Sequence, residues 1–154
     1  TLKSNVSNYI IRYFLNQESK QSNAFLNIDC FTTPFDYTIN IFQKSEIVKQ
    51  NIDLIETFNY ILGINVKQIK TDTYQQRKYV WIMGNKSEKT ILIIWREMTE
   101  KGENTKCPFD PIQEREYIEK SIIDENKFDE IYINGNSLIP NSIAIEPIFK
   151  RFFL

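Results

Sequence analysis

A chain of 154 residues has the length of one domain, and at that size a compact fold buries roughly 70% of its unfolded surface, so its core needs neither metal nor disulfide. Hydrophobic residues make up 42% and aromatics 14%, which excludes a disordered tail. The net charge of −1 excludes a chain that is cationic overall.

In chain order, the opening stretch places Tyr9, Ile10, Tyr13 and Phe14 at helical spacing, so residues 1–24 read as a helical arm. The chain enters that helix with little preamble and without an initiator Met, which leads us to expect a segment cut from a longer protein. Residues 25–154 read as one α/β domain. Tyr37, Ile39 and Ile41 alternate with polar Asp36, Thr38 and Asn40, a half-buried strand approached through Pro34. Residues 51–62 put Ile52, Ile55, Phe58 and Leu62 on one helical face, widened by Leu54 and Ile61, and Gly63 terminates the helix.

Three strands are predicted next, at 64–70, 78–84 and 90–98. The stretch TDTYQQR joins the first two and GNKSEK joins the last two at hairpin length, so an antiparallel meander is the economical arrangement. ILIIW is apolar on both faces, which predicts a central strand covered on each side. After a loop of mixed polarity comes a helix from Pro111, with Asp110 as its N-cap and Ile112, Tyr117, Ile118 and Ile122 facing the core. FDEIYINGN then gives a short strand closed by Asn134, Gly135 and Asn136, and AIEPIFKRFFL a final helix. The expected fold class is α+β: a mixed, largely antiparallel sheet with an αβββαβ-like core flanked by helices.

Chemistry-bearing features are few. The absence of histidine removes Ser-His and Cys-His pairs, the commonest zinc ligand and the usual neutral-pH base. The four glycines stand isolated, so no Gly-rich loop cradles a phosphate or a nucleotide cofactor, and the FxGxG pattern of S-adenosylmethionine (SAM) sites is missing. Cys30 and Cys107 lie far apart without metal-ligand spacing and read as free thiols in a reducing interior. The apolar runs are far below the ~18 residues that span a bilayer, and no charged-then-apolar leader opens the chain. A cytoplasmic protein with no membrane partner is expected.

Three patterns carry functional alternatives. Asp110-Pro111 matches half of the DPPY signature of amino-methylating enzymes, but the aromatic that stacks on a flipped base is absent, and a helix N-terminus explains the pair. The element order matches the core of many PD-(D/E)xK nucleases, which carry an acid on the second strand and an acid two residues before a lysine on the third. Here KYVWIMG has no acid and Glu97 is followed two positions later by Thr99, so a degenerate nuclease-like core is the form this alternative takes. Finally, residues 64–90 hold Lys67, Lys70, Arg77, Lys78, Lys86 and Lys89 against Asp72 and Glu88. These are candidate DNA contacts for a stand-alone nucleic-acid-binding module; edge strands protected by lysine are the competing explanation.

DLIETFNYILGINVKQI, ILIIWREMTE, FDEIYINGNSLIP and EPIFKRFFL, in that order, resemble the C-terminal segment of site-specific adenine DNA methyltransferases, notably those related to modification subunits of type III restriction systems. YFLNQESKQSNAFLNIDCFTTPFDYTI resembles the preceding segment, where members tend to show ESRGS, LLN and DPF.Y. The likeness covers nearly the whole chain. It departs at GNSLIP and NSIAIEP, where relatives carry a longer, more charged link. The resemblance implies that SAM and the DPPY motif belong to a catalytic domain upstream, so that this chain holds no cofactor or catalytic residue of its own. Its implied partners are that parent catalytic domain, a second copy in a homodimer, and DNA. Tyr132, Phe149, Phe152 and Phe153 are candidates for a partner surface, since interface cores are rich in aromatics; packing in the domain's own core is the alternative for each.

Overall fold

The computed structural model describes residues 31–98 and 109–153. The predicted arm at 1–24, Cys30 and Cys107 lie outside them. A single turn of 3-10 helix, Pro34–Asp36, leads into a hairpin of β1 (Thr38–Gln43) and β2 (Glu46–Asn51). Helix α1 (Leu54–Leu62) follows, then the meander β3 (Asn65–Tyr74), β4 (Arg77–Lys86) and β5 (Lys89–Arg96). Helix α2 (Pro111–Ile118), β6 (Glu130–Ile133), β7 (Ser142–Ala144) and α3 (Glu146–Phe153) complete the chain. The main sheet runs β3-β4-β5-β6-β7, antiparallel through β5 and parallel from β5 onward. The fold is α+β, with the αβββαβ order intact and β5 at the centre. No helix among the described residues is long and apolar enough to cross a membrane.

Alternation along the strands divides the interior in two. On one face Val80, Ile82, Ile91, Ile93, Trp95 and Tyr132 pack against Leu54, Phe58 and Leu62 of α1, together with Ile145 and Phe149. On the other, Tyr79, Trp81, Leu92, Ile94 and Ile133 meet Ile118 and Ile122. Every β5 residue from Ile91 to Arg96 is buried, as a strand covered on both sides requires.

Local signals set the helix ends. The Asp53 carboxylate caps α1 by accepting from Glu56 N–H at 2.9 Å, and Gly63 closes it in the left-handed region at φ 74°. The Asp110 carboxylate caps α2 through Ile112 N–H at 2.9 Å and Gln113 N–H at 3.4 Å, with Pro111 in the first turn. After Ile118 the helix widens: Asp124 N–H donates to the Glu119 carbonyl, five residues back, at 2.9 Å.

Three expectations need correction. TDTYQQR is not a long loop: β3 and β4 extend through it and turn only at Gln75 and Gln76, both at positive φ (47° and 62°). The helix predicted from residue 51 begins at Leu54, because EIVKQN, ending at Asn51, forms β2 across a similar turn at Lys44 and Ser45. Ile112 is 64% exposed, and Glu114, at 2%, takes the inward position.

Opposite the bulge between Val66 and Gln68, β4 carries Gly84, where a Cβ would lie 2.3 Å from the Asn65 carbonyl oxygen. Gly84→Ala is expected to lower stability by about 1–3 kcal/mol. Gln76→Gly is expected to leave it unchanged or raise it by up to about 1 kcal/mol, because the two-residue turn needs positive φ. Urea unfolding midpoints check both signs.

Candidate functional site

A buried polar arrangement lies where β5 and β6 end. Parallel pairing of these strands stops at Ile94 and Ile133, and Asn134 continues it with its side chain. Its amide oxygen accepts from Arg96 N–H at 2.9 Å. Its amide nitrogen donates to the Arg96 carbonyl at 2.9 Å and to the Phe31 carbonyl at 2.8 Å. The next residue, Gly135, at φ 71°, donates its N–H to Glu146 Oε1 at 2.6 Å, and Phe31 N–H reaches the same oxygen at 3.4 Å. Asn134 and Glu146 are 0% and 4% exposed. The latch therefore ties Phe31, the end of β5, the end of β6 and the first turn of α3, four stretches far apart in sequence.

A charged centre adjoins it on the α2 face. Arg96, fully buried, forms an ion pair with Glu114 and donates to the Asn136 carbonyl. Tyr79 O–H donates to the other Glu114 oxygen at 2.7 Å. Burial pushes the Glu114 carboxyl up, and the Arg96 charge, the Tyr79 hydrogen bond and the Arg77 charge oppose that. Burial, reinforced by Glu114, pushes the Tyr79 phenol far above its ordinary range, so it stays a neutral donor. Phe109 lies beneath two guanidinium groups, 5.3 Å from Arg77 and 5.7 Å from Arg96.

Glu97, the one acid near the end of the third meander strand, is 4% exposed and accepts Lys78 N–H at 3.2 Å, while its own N–H donates to the Lys78 carbonyl. The strand positions facing α1 beside it, Val80, Ile82 and Trp95, are core residues. Among the described residues no cluster of three or more acidic or Cys side chains is placed to hold a metal ion. A shallow cleft of about 390 Å³ lies beside α2, lined by Tyr74, Gln113, Glu116, Tyr117, Lys120 and Ser121. The Tyr74 and Tyr117 rings stack on each other at 4.0 Å along its wall.

The candidate DNA contacts do not converge. Lys70 pairs with Trp81 across the ladder and so lies on the α2 face, whereas Lys78 lies on the α1 face, 4.7 Å over the Phe35 ring. Arg77, 2% exposed, is buried in the charged centre and is unavailable to a phosphate. Lys89 forms an ion pair with Glu130 at 3.2 Å. Lys67, Lys70 and Lys86 remain exposed. Of the candidate partner aromatics, Tyr132 and Phe149 are core residues at 6% and 0% exposure, which corrects that assignment. Tyr132 O–H also donates to Glu130 at 2.6 Å, and this bond, ahead of Lys89, holds the Glu130 carboxyl below its usual range. Phe152 is 41% exposed, and the Phe153 side chain lies outside the described residues.

Of the latch residues the sequence singles out Asn134 and Gly135 alone, as turn punctuation. Asn134 in a turn and Glu146 at a helix start have ordinary local explanations, and only the chain's return brings Phe31 and Arg96 to them. Comparison with protein-family models, curated proteins and solved structures gives no match.

Asn134→Ala leaves three buried backbone groups without their partner and is expected to cost about 1–3 kcal/mol for each that stays dry. Asn136→Ala, at an exposed position, is expected to stay within about 0.5 kcal/mol of the parent. Paired urea titrations separate the two.

Proposed function

We propose that the chain is an accessory C-terminal domain of an adenine-N6 site-specific DNA methyltransferase. It supports assembly of the catalytic subunit, adds a modest DNA-contacting surface, and performs no chemistry of its own. The parent reaction transfers a methyl group from SAM to the exocyclic amine of a flipped adenine, with SAM held in the separate catalytic domain. A cytoplasmic setting goes with that reading.

The observation that carries it is where the resembling blocks meet. Phe31 from YFLNQESKQSNAFLNIDCFTTPFDYTI, Arg96 from ILIIWREM, Asn134 and Gly135 from YINGN, and Glu146 from EPIFKRFFL form one latch. Four of the five resembling stretches thus converge on one tertiary feature, which supports a structural role for them. The αβββαβ order favours a second reading compatible with the first, a nuclease-like frame kept as scaffold. Metal-dependent cleavage of plasmid DNA by this chain would overturn both.

The complete reading frame containing the chain, supplied with SAM, is expected to deposit N6-methyladenine in plasmid DNA, read by nucleoside mass spectrometry. Disrupting the latch with Asn134→Ala and Glu146→Ala is expected to lower the assembled fraction while leaving methylation per assembled complex unchanged. A reading frame with no methyl transfer sinks the proposal. For the DNA-contacting surface, Lys67→Glu with Lys70→Glu is expected to reduce the slope of log affinity against log salt by about 2.

A further inference from the structure

Strand β3 is the edge of the main sheet, with β4 on one side and no described strand on the other. Its residues Gln68 to Thr73 are all exposed, including Ile69 at 55%. A long strand of this kind offers a row of outward amides and carbonyls to another chain. Protection is concentrated at its start, where the bulge between Val66 and Gln68 sets Lys67 out of register. From Gln68 to Tyr74 the strand runs in unbroken register with β4.

We propose that β3 is a self-pairing edge through which two copies of this chain join their sheets, antiparallel about a twofold axis at Thr71. Such an axis stands perpendicular to the sheet, so facing residues must come from the same face and only registers centred on a residue are allowed. Lys70 and Asp72 pair with Trp81 and Tyr79 and share the α2 face; Ile69 and Thr71 pair with Ile82 and Val80 and share the α1 face. Centring on Lys70 or on Asp72 sets each opposite its own copy, like charge against like. Centring on Ile69 leaves both charges unmatched. Centring on Thr71 sets Lys70 opposite Asp72 of the second copy, twice by symmetry, and Ile69 opposite Thr73.

A lone lysine on an edge blocks pairing, and an aspartate two residues later reverses that effect in this one register. The Asp72 carboxylate is already oriented: one oxygen accepts from Tyr117 O–H and the other from Thr73 N–H at 2.8 Å, while the residue stays exposed. Orientation before binding lowers the entropy lost on association. A single strand pair buries less than the about 1,200 Å² of a standard interface. The dimer is therefore weak and concentration-dependent, and tethering to a larger assembly strengthens it.

This deepens the assembly role proposed above and rests on it for its use in the cell, but association is measured without reference to methyl transfer, so each fails independently. Sedimentation velocity over a wide concentration series is the test, with circular dichroism to establish that each variant folds. The parent is expected to dimerise. Lys70→Asp and Asp72→Lys, each placing like charges opposite, are expected to weaken association about tenfold, or about 1.4 kcal/mol. Combining Lys70→Asp with Asp72→Lys is expected to restore it. A parent monomeric at every concentration overturns the proposal. So does a dimer indifferent to the single reversals, one that the double swap fails to rescue, or a rise in mass seen only with added duplex DNA.

Discussion

The burial of β5 is the constraint from which the rest of the architecture follows. From Ile91 to Arg96 the strand is covered on both faces, so its backbone has no water to fall back on and each amide and carbonyl needs a partner. β4 supplies one side antiparallel and β6 the other in parallel. The parallel ladder gives out at Ile94, two residues before the buried strand ends, and the Asn134 amide fills the gap by imitating a peptide group. That substitution also explains the Phe31 anchor, because the spare hydrogen on the Asn134 nitrogen is satisfied by the Phe31 carbonyl. A backbone requirement in the middle of the sheet thus fixes the position of Phe31.

The same strand carries a charge into the interior. Arg96 sits at the end of β5 with its side chain turned to the α2 face, and a guanidinium there is tolerable only when paired and hydrogen-bonded. Glu114 from α2 and Tyr79 beside it provide that pairing. Removing one member of a buried pair is costly because the other charge remains, whereas exchanging the whole set for apolar groups need not be. The first turns of α2 are accordingly positioned by charge and its last turn by Ile118, which is why the helix lacks the apolar stripe of α1.

The charged residues buried in the described part of the chain are largely occupied with architecture. Glu97 pairs the end of β5 to Lys78, Glu146 holds Gly135, and Arg96 joins α2 to the sheet. The groups left for an outside partner are on β3 and at the rim. This division, structural polar groups within and an open polar edge without, suits a domain that is joined to others, and it sets the proposed accessory role on features of this chain. It also gives the edge strand a use other than avoiding contact.

Periodicity and punctuation determined the body of α1 and its Gly63 stop, though not its start, and with them the Asp110-Pro111 start of α2, the meander and the central place of ILIIW. Each depends on neighbours in sequence: a cap, a left-handed glycine, or a run apolar on both faces. The tertiary structure alone decided the rest. Lys70 to Thr73 has no apolar alternation because this exposed stretch of the edge strand has little to bury, so its β structure comes from the ladder with β4. Arg77 reads as a surface cation and Glu114 as a solvated acid until the fold places both beside Arg96. Asn134 and Glu146 read as a turn and a helix start until Phe31 returns to them. What depends on partners tens of residues away cannot be read from local pattern, because the energy that selects it is absent until the chain has closed.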